Sequence, residues 1–146
     1  MLTSFLNKHR DIGILLLRLG TGIGFVFVHG EGKMFGGPEL WTKIGSAMSN
    51  YGITFFPAFW GFMASFSEFF GGILLILGLF VRPAAGFMAF TMITATITHL
   101  SRLDPWARVI TPFEMLAIFL CLIFIGAGKY SLDYLFFKKK STAAAN

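Results

Sequence analysis

Cysteine is almost missing: the chain of 146 residues has one, Cys121. A single thiol excludes an intrachain disulfide and any Cys-x-x-Cys redox pair, and Cys121 reads as a small apolar core residue. Charge is also scarce. Charged residues make up 13% of the chain, where a soluble domain carries about a quarter. The basic residues behind the net charge of +5 are scattered or sit at the ends of apolar runs. No soluble basic face is left to enter a nucleic-acid groove, so nucleic acid is not expected as a partner. The two-residue alternation of a lipid-facing barrel strand is missing too, which argues against β-structure. No internal repeat stands out.

Two further motifs are incomplete. None of Glu31, Glu68 and Glu114 has histidine three residues later, so the Glu-x-x-His repeat of di-iron bundles is absent. Paired haem ligation by His29 and His99 is geometrically conceivable, but neither metal nor haem is the expected cofactor. Gly126-Ala-Gly-Lys129-Tyr-Ser resembles the tail of a phosphate loop. Ile123 stands where that loop needs glycine and Tyr130 where it needs Ser or Thr, so the motif is rejected. The glycines better mark a helix exit, with Asp133 available as a cap.

What the chain has is apolar length. It is 55% hydrophobic, with mean hydropathy +0.73 and 19 phenylalanines. Four runs approach the ~20 residues that cross a bilayer: 12–30, 57–80, 83–100 and 111–127. The expected fold is all-α, an integral membrane four-helix bundle over 1–137 with a basic, disordered tail over 138–146. The basic start at Lys8, His9 and Arg10 invites comparison with a signal peptide. Arg18 breaks the apolar core such a peptide needs, and the segment reads as a retained helix.

Flanking Lys and Arg set orientation. With the N-terminus inside, seven lie inside (Lys8, Arg10, Arg82, Lys129, Lys138, Lys139, Lys140) and four outside (Lys33, Lys43, Arg102, Arg108). Both termini are expected in the cytoplasm of a bacterial inner membrane. Trp41, Trp60 and Trp106 all fall at the outer border, as an aromatic belt does. Between the first two runs, Leu40, Trp41, Ile44 and Met48 follow helical spacing after a Gly36-Gly37-Pro38 break. That predicts a short interfacial amphipathic helix over 39–50, either a lid or a packed connection.

Charge inside the apolar runs is the strongest functional signal. Arg18 interrupts Ile12–Val28 and Glu68 interrupts Phe55–Phe80, and each costs ~2.5–3.5 kcal/mol at the bilayer centre. Arg18 and His29 are eleven positions apart, which places them on one helix face about 16 Å apart. Gly22 lies on nearly that face, and Gly20 and Gly24 form a small-residue pair nearby. Glu68 shares its face with Gly61, Ala64, Gly71 and Gly72, which marks a helix–helix surface. An Arg18–Glu68 ion pair is expected. His29, Glu31, Lys33, His99 and Glu114 should gather near the outer ends of their helices. Carboxylates and imidazoles grouped there are the parts of a proton-handling site.

As a set, these motifs resemble the DoxX family of small membrane proteins. The matching pieces are Arg18-Leu-Gly … Phe25 … His29-Gly … Lys33, then Phe56-Pro57, Glu68-x-x-Gly71-Gly72, Leu77-Gly78 and Arg82-Pro83-Ala84-Ala85. Glu114 and Gly126-Ala-Gly128-Lys129-Tyr130-Ser131-Leu132-Asp133 close the match. Ala127 departs from the usual Gly-Pro-Gly. The resemblance implies a four-helix membrane fold and association with respiratory or sulfur redox: the name comes from an archaeal quinol oxidase system, and relatives occur in thiosulfate:quinone oxidoreductases and an oxidative-stress complex. The leading expectation is a subunit of a quinone-linked oxidoreductase assembly. Glu68, His29, His99 and Glu114 would form the catalytic set, and Arg18 and Lys33 would hold the substrate. Quinone is the cofactor to test for, and the bilayer, a redox partner subunit and a second copy of the chain are the expected partners. A non-enzymatic scaffold or assembly factor, and a small transporter or channel subunit, are the alternatives.

Overall fold

Runs of this length and hydropathy satisfy their backbone groups within themselves in lipid, which selects helices. The computed structural model describes residues 9–136; Lys8, the run Lys138–Lys140 and the tail 138–146 lie outside the described residues. The elements are α1 (Arg10–Gly24), a π-helix π1 (Phe25–Gly30), α2 (Glu31–Met34), α3 (Gly37–Gly45), a 3₁₀ helix (Ser46–Tyr51), α4 (Pro57–Leu77), α5 (Val81–Ser101) and α6 (Trp106–Ile125). α1, π1 and α2 form one rod, Arg10–Met34. That rod, α4, α5 and α6 are four helices long and apolar enough to cross a membrane. The described residues contain no strand. The side of the bundle holding His9, the α4–α5 turn and residues 126–136 is called the near side. The far side holds α3, the 3₁₀ helix and the α5–α6 turn.

Chain breaks follow the expected punctuation with shifts at the ends. α4 starts on Pro57, whose missing N–H costs nothing at a first helical position. It ends earlier than expected, at Leu77. Gly78 is left-handed (φ 66°), and its N–H reaches Leu75 O at 3.2 Å while Leu79 N–H reaches Leu74 O at 3.0 Å. This is a Schellman stop. α5 begins at Val81 because Asp133 caps it, accepting from the N–H of Phe80 (2.8 Å) and Val81 (3.0 Å). α6 starts at Trp106, over a turn before the expected 111, with Pro105 as its cap and Pro112 inside the helix. Pro112 thus does not open the span. Membrane helices tolerate an internal proline when neighbours re-satisfy the freed groups.

The core gathers where α4, α5 and α6 meet: Leu75, Val81, Ala85, Met88, Phe119 and Leu122, joined by Phe25 from π1. Phe25 meets Phe119 edge-on at 5.1 Å between ring centres. Cys121 is not part of this core. It is exposed on α6, because α6 buries Val109, Pro112, Phe119 and Leu122 and turns residue 121 outward.

Candidate functional site

Close backbone approaches set the site. A Cβ on Gly45 would lie 1.8 Å from Pro57 O, and one on Gly61 would lie 1.7 Å from Trp41 O. Only glycine at both positions lets α3 lie directly on the far half of α4. The Trp41 indole N–H donates to Lys33 O at 2.8 Å and ties α3 to α2. On the other edge, Asn50 Nδ2 donates to Thr98 Oγ1 (3.0 Å) and Tyr51 Oη lies 3.2 Å from Thr94 Oγ1, so the 3₁₀ helix is tied to α5. The connection between the first two spans is therefore packed onto both neighbours.

Beneath it runs a groove between α4 and α5 of about 650 Å³. Its walls are largely apolar, with Phe59, Met63, Phe66 and Phe70 from α4 and Phe87 and Phe90 from α5. These six are exposed, so the groove opens sideways along the spans. Glu68 and Lys33 form its polar floor. Lys33 Nζ lies 2.8 Å from Oε1 and 2.6 Å from Oε2 of Glu68. The Glu68 side chain is 3% exposed and that of Lys33 37%. His99, Arg102 and Lys43 line the far end. His99 Nδ1 lies 2.7 Å from Asp104 Oδ2. The hydrogen bond to His99 holds the Asp104 carboxyl below its ordinary range, and His99, Arg108 and Arg102 add attraction against a smaller desolvation penalty.

Arg18 does not pair with Glu68. It is fully buried on the near side, where Nη1 donates to Leu75 O at 3.2 Å and Nη2 donates to Tyr130 O. Leu75 lies seven residues beyond Glu68 on the same helix, about 10 Å along its axis. No guanidinium can serve both. Asp133 is the carboxylate whose charge acts on Arg18. The Arg18 Nε has no partner among the described residues.

His29 is also displaced from the expected face. The i→i+5 bonds of π1 delay the helical phase. Gly22, Val26 and Gly30 therefore follow one another on the face toward α4, and a Cβ on Gly30 would lie 2.7 Å from Phe69 Cα. His29 turns aside, packs tilted against Phe25 with ring centres 5.0 Å apart and lines a separate notch with Gly20, Thr21, Gly24 and Met115. Glu31 and Glu114 are exposed and do not line the groove. The structure pairs Glu68 with Lys33 and sets His99 along the same groove; it leaves Arg18, His29 and Glu114 outside it.

Sequence reasoning missed Lys43, Arg102 and Asp104 as neighbours of His99. The signal for Asp104 was local: a Leu103-Asp104-Pro105 turn five residues after a helix-end histidine. Among the described residues no group of three or more His, Cys, Asp or Glu side chains is placed to hold a metal ion.

The comparisons with known proteins agree with this architecture. The DoxX family model matches residues 13–100. "Putative oxidoreductase CatD" of Bacillus subtilis (strain 168) is 33% identical over 135 residues, covering 92% of this chain and 95% of that protein. "Inner membrane protein YqjF" of Escherichia coli (strain K12) is 31% identical over 138 residues, covering 92% of this chain and 99% of that protein. No solved structure matches. With a family match over more than half its length and relatives aligned nearly end to end, the chain belongs to the DoxX family of membrane proteins.

Proposed function

We propose that this protein is the quinone-binding subunit of a redox assembly in a bacterial inner membrane. Quinone is its substrate, and a partner subunit exchanges the electrons. The far side faces outward and both termini are cytoplasmic, the orientation that flanking Lys and Arg along the sequence predict. One observation carries the reading: an ion pair, Lys33–Glu68, forms the floor of an apolar groove that opens sideways between two spans. Its volume lies within the ~300–1,000 Å³ of small-molecule sites. A quinone tail needs a lateral apolar entrance, and its head needs a few fixed polar groups. Lys33 supplies donors, Glu68 supplies an ionisable oxygen and His99 supplies a proton-exchanging ring. The names of the relatives, "Putative oxidoreductase CatD" and "Inner membrane protein YqjF", support the same direction.

The test is decylubiquinone binding to the protein in nanodiscs, followed by tryptophan fluorescence. Glu68→Gln and Lys33→Gln should each weaken binding about tenfold or more, the loss of one charge-assisted contact. Affinities equal to wild type in both variants would overturn the reading.

A further inference from the structure

The far end of the groove carries a dyad of which the quinone reading uses only the histidine. His99 lines the groove, and Asp104 reaches it from the α5–α6 turn. The turn is shaped for this contact: Leu103 takes a positive φ of 53°, and Asp104 N–H bonds back to His99 O at 3.0 Å. The Asp104 carboxyl is held below its ordinary range, so at neutral pH it is ionised and only accepts. His99 Nδ1 must then carry the ring proton, which leaves Nε2 as the nitrogen available to a ligand. In the neutral ring that nitrogen accepts, and in the imidazolium it donates.

We propose that the His99–Asp104 dyad makes the groove distinguish quinol from quinone by proton exchange with the far side. This rests on the quinone reading of the groove. Quinol presents O–H donors and matches the accepting Nε2 of the neutral ring. Quinone presents only carbonyl acceptors and matches the donating Nε2–H of the imidazolium. Exchanging quinol for quinone therefore takes up one proton at His99, and the reverse exchange releases it; no electron moves in this step. His99 would touch the ligand and Asp104 would be a positioning residue. The charges facing His99 come from several elements: Asp104 from the turn, Arg102 from the end of α5, Arg108 from α6, Lys43 from α3, and the Glu68–Lys33 pair of α4 and α2. Tyr51 of the 3₁₀ helix points its hydroxyl to Thr94. Asp104 is the carboxylate bonded to the ring.

The experiment measures the dissociation constants of decylubiquinol and decylubiquinone, under anaerobic conditions, in nanodiscs between pH 5.5 and 8.5. Wild type should move its quinol-to-quinone preference about tenfold toward quinol as pH rises, the scale of one exchanged hydrogen bond. His99→Asn should flatten that dependence. Asp104→Asn should move the crossover to lower pH, and Asp104→Glu should restore it. A purely structural dyad would change both affinities together at every pH, and would overturn the inference. So would a wild-type preference independent of pH while both ligands still bind, a result that leaves the quinone reading intact. If neither ligand binds, the quinone reading fails and this inference falls with it.

Discussion

At Arg18 a cation in an apolar run is held by two carbonyl oxygens, Leu75 O and Tyr130 O, and faces the charge of Asp133. The guanidinium fits because Gly78 has no Cβ: one would lie 2.0 Å from Nη1. Arg18 thereby bolts α1 to the end of α4 and to the 126–136 segment. A planar fork that serves two carbonyls is not replaced by the point charge of lysine. Arg18→Lys should lower stability by roughly 2–3 kcal/mol, since it leaves buried acceptors unpaired. Thermal unfolding in detergent, with Arg18→Met alongside, checks this; a melting temperature equal to wild type for both would contradict it. That Arg18 and Glu68 both needed partners was legible from their positions in apolar runs. Which partners they took was not. The helix axial offset separates them, and Lys33 reaches down from the far side to Glu68 instead.

The connection between the first two spans works as an element because two glycines bring it onto α4. Gly61→Ala has no room, with Trp41 backbone atoms already in contact. The substitution should lift α3 from α4, redshift tryptophan fluorescence and weaken quinone binding several-fold, while α1 and its Arg18 contacts stay in place. Fluorescence and the nanodisc binding assay read this directly, and an unchanged spectrum would show that α3 does not depend on the contact. Acid acts on the neighbouring turn. The Asp104 carboxyl is depressed in the folded protein, so its contribution is present above the ordinary carboxylate pKa and is lost as pH falls through the lower folded value. The amphipathic spacing of Leu40, Trp41, Ile44 and Met48 made α3 readable beforehand. The π-helix was not readable: ordinary helical phase put His29 on the Arg18 face, and six residues of i→i+5 bonding give that place to Gly30.

For the whole molecule, four spans of alternating direction put the α1 start, the α4–α5 turn and the 126–136 segment on one side of the membrane. The proposed orientation predicts the chemistry of each side. Ser46 is exposed on the far side. In a Cys121→Ser background, Ser46→Cys should react with a membrane-impermeant maleimide in intact spheroplasts, and Lys129→Cys should react only after lysis. The reverse pattern would invert the topology. The all-α membrane architecture, the number of spans and the helix after the first of them were determined by the sequence itself. They follow from apolar length, proline and glycine punctuation and amphipathic spacing, all of which act locally along the chain. The pairing of Lys33 with Glu68, the carbonyl cradle of Arg18, the removal of His29 and Glu114 from the groove and the joining of His99 to Asp104 beside it were decided only in three dimensions. They depend on axial offsets between helices, on one change of helical phase and on a turn conformation, and those are properties of packing.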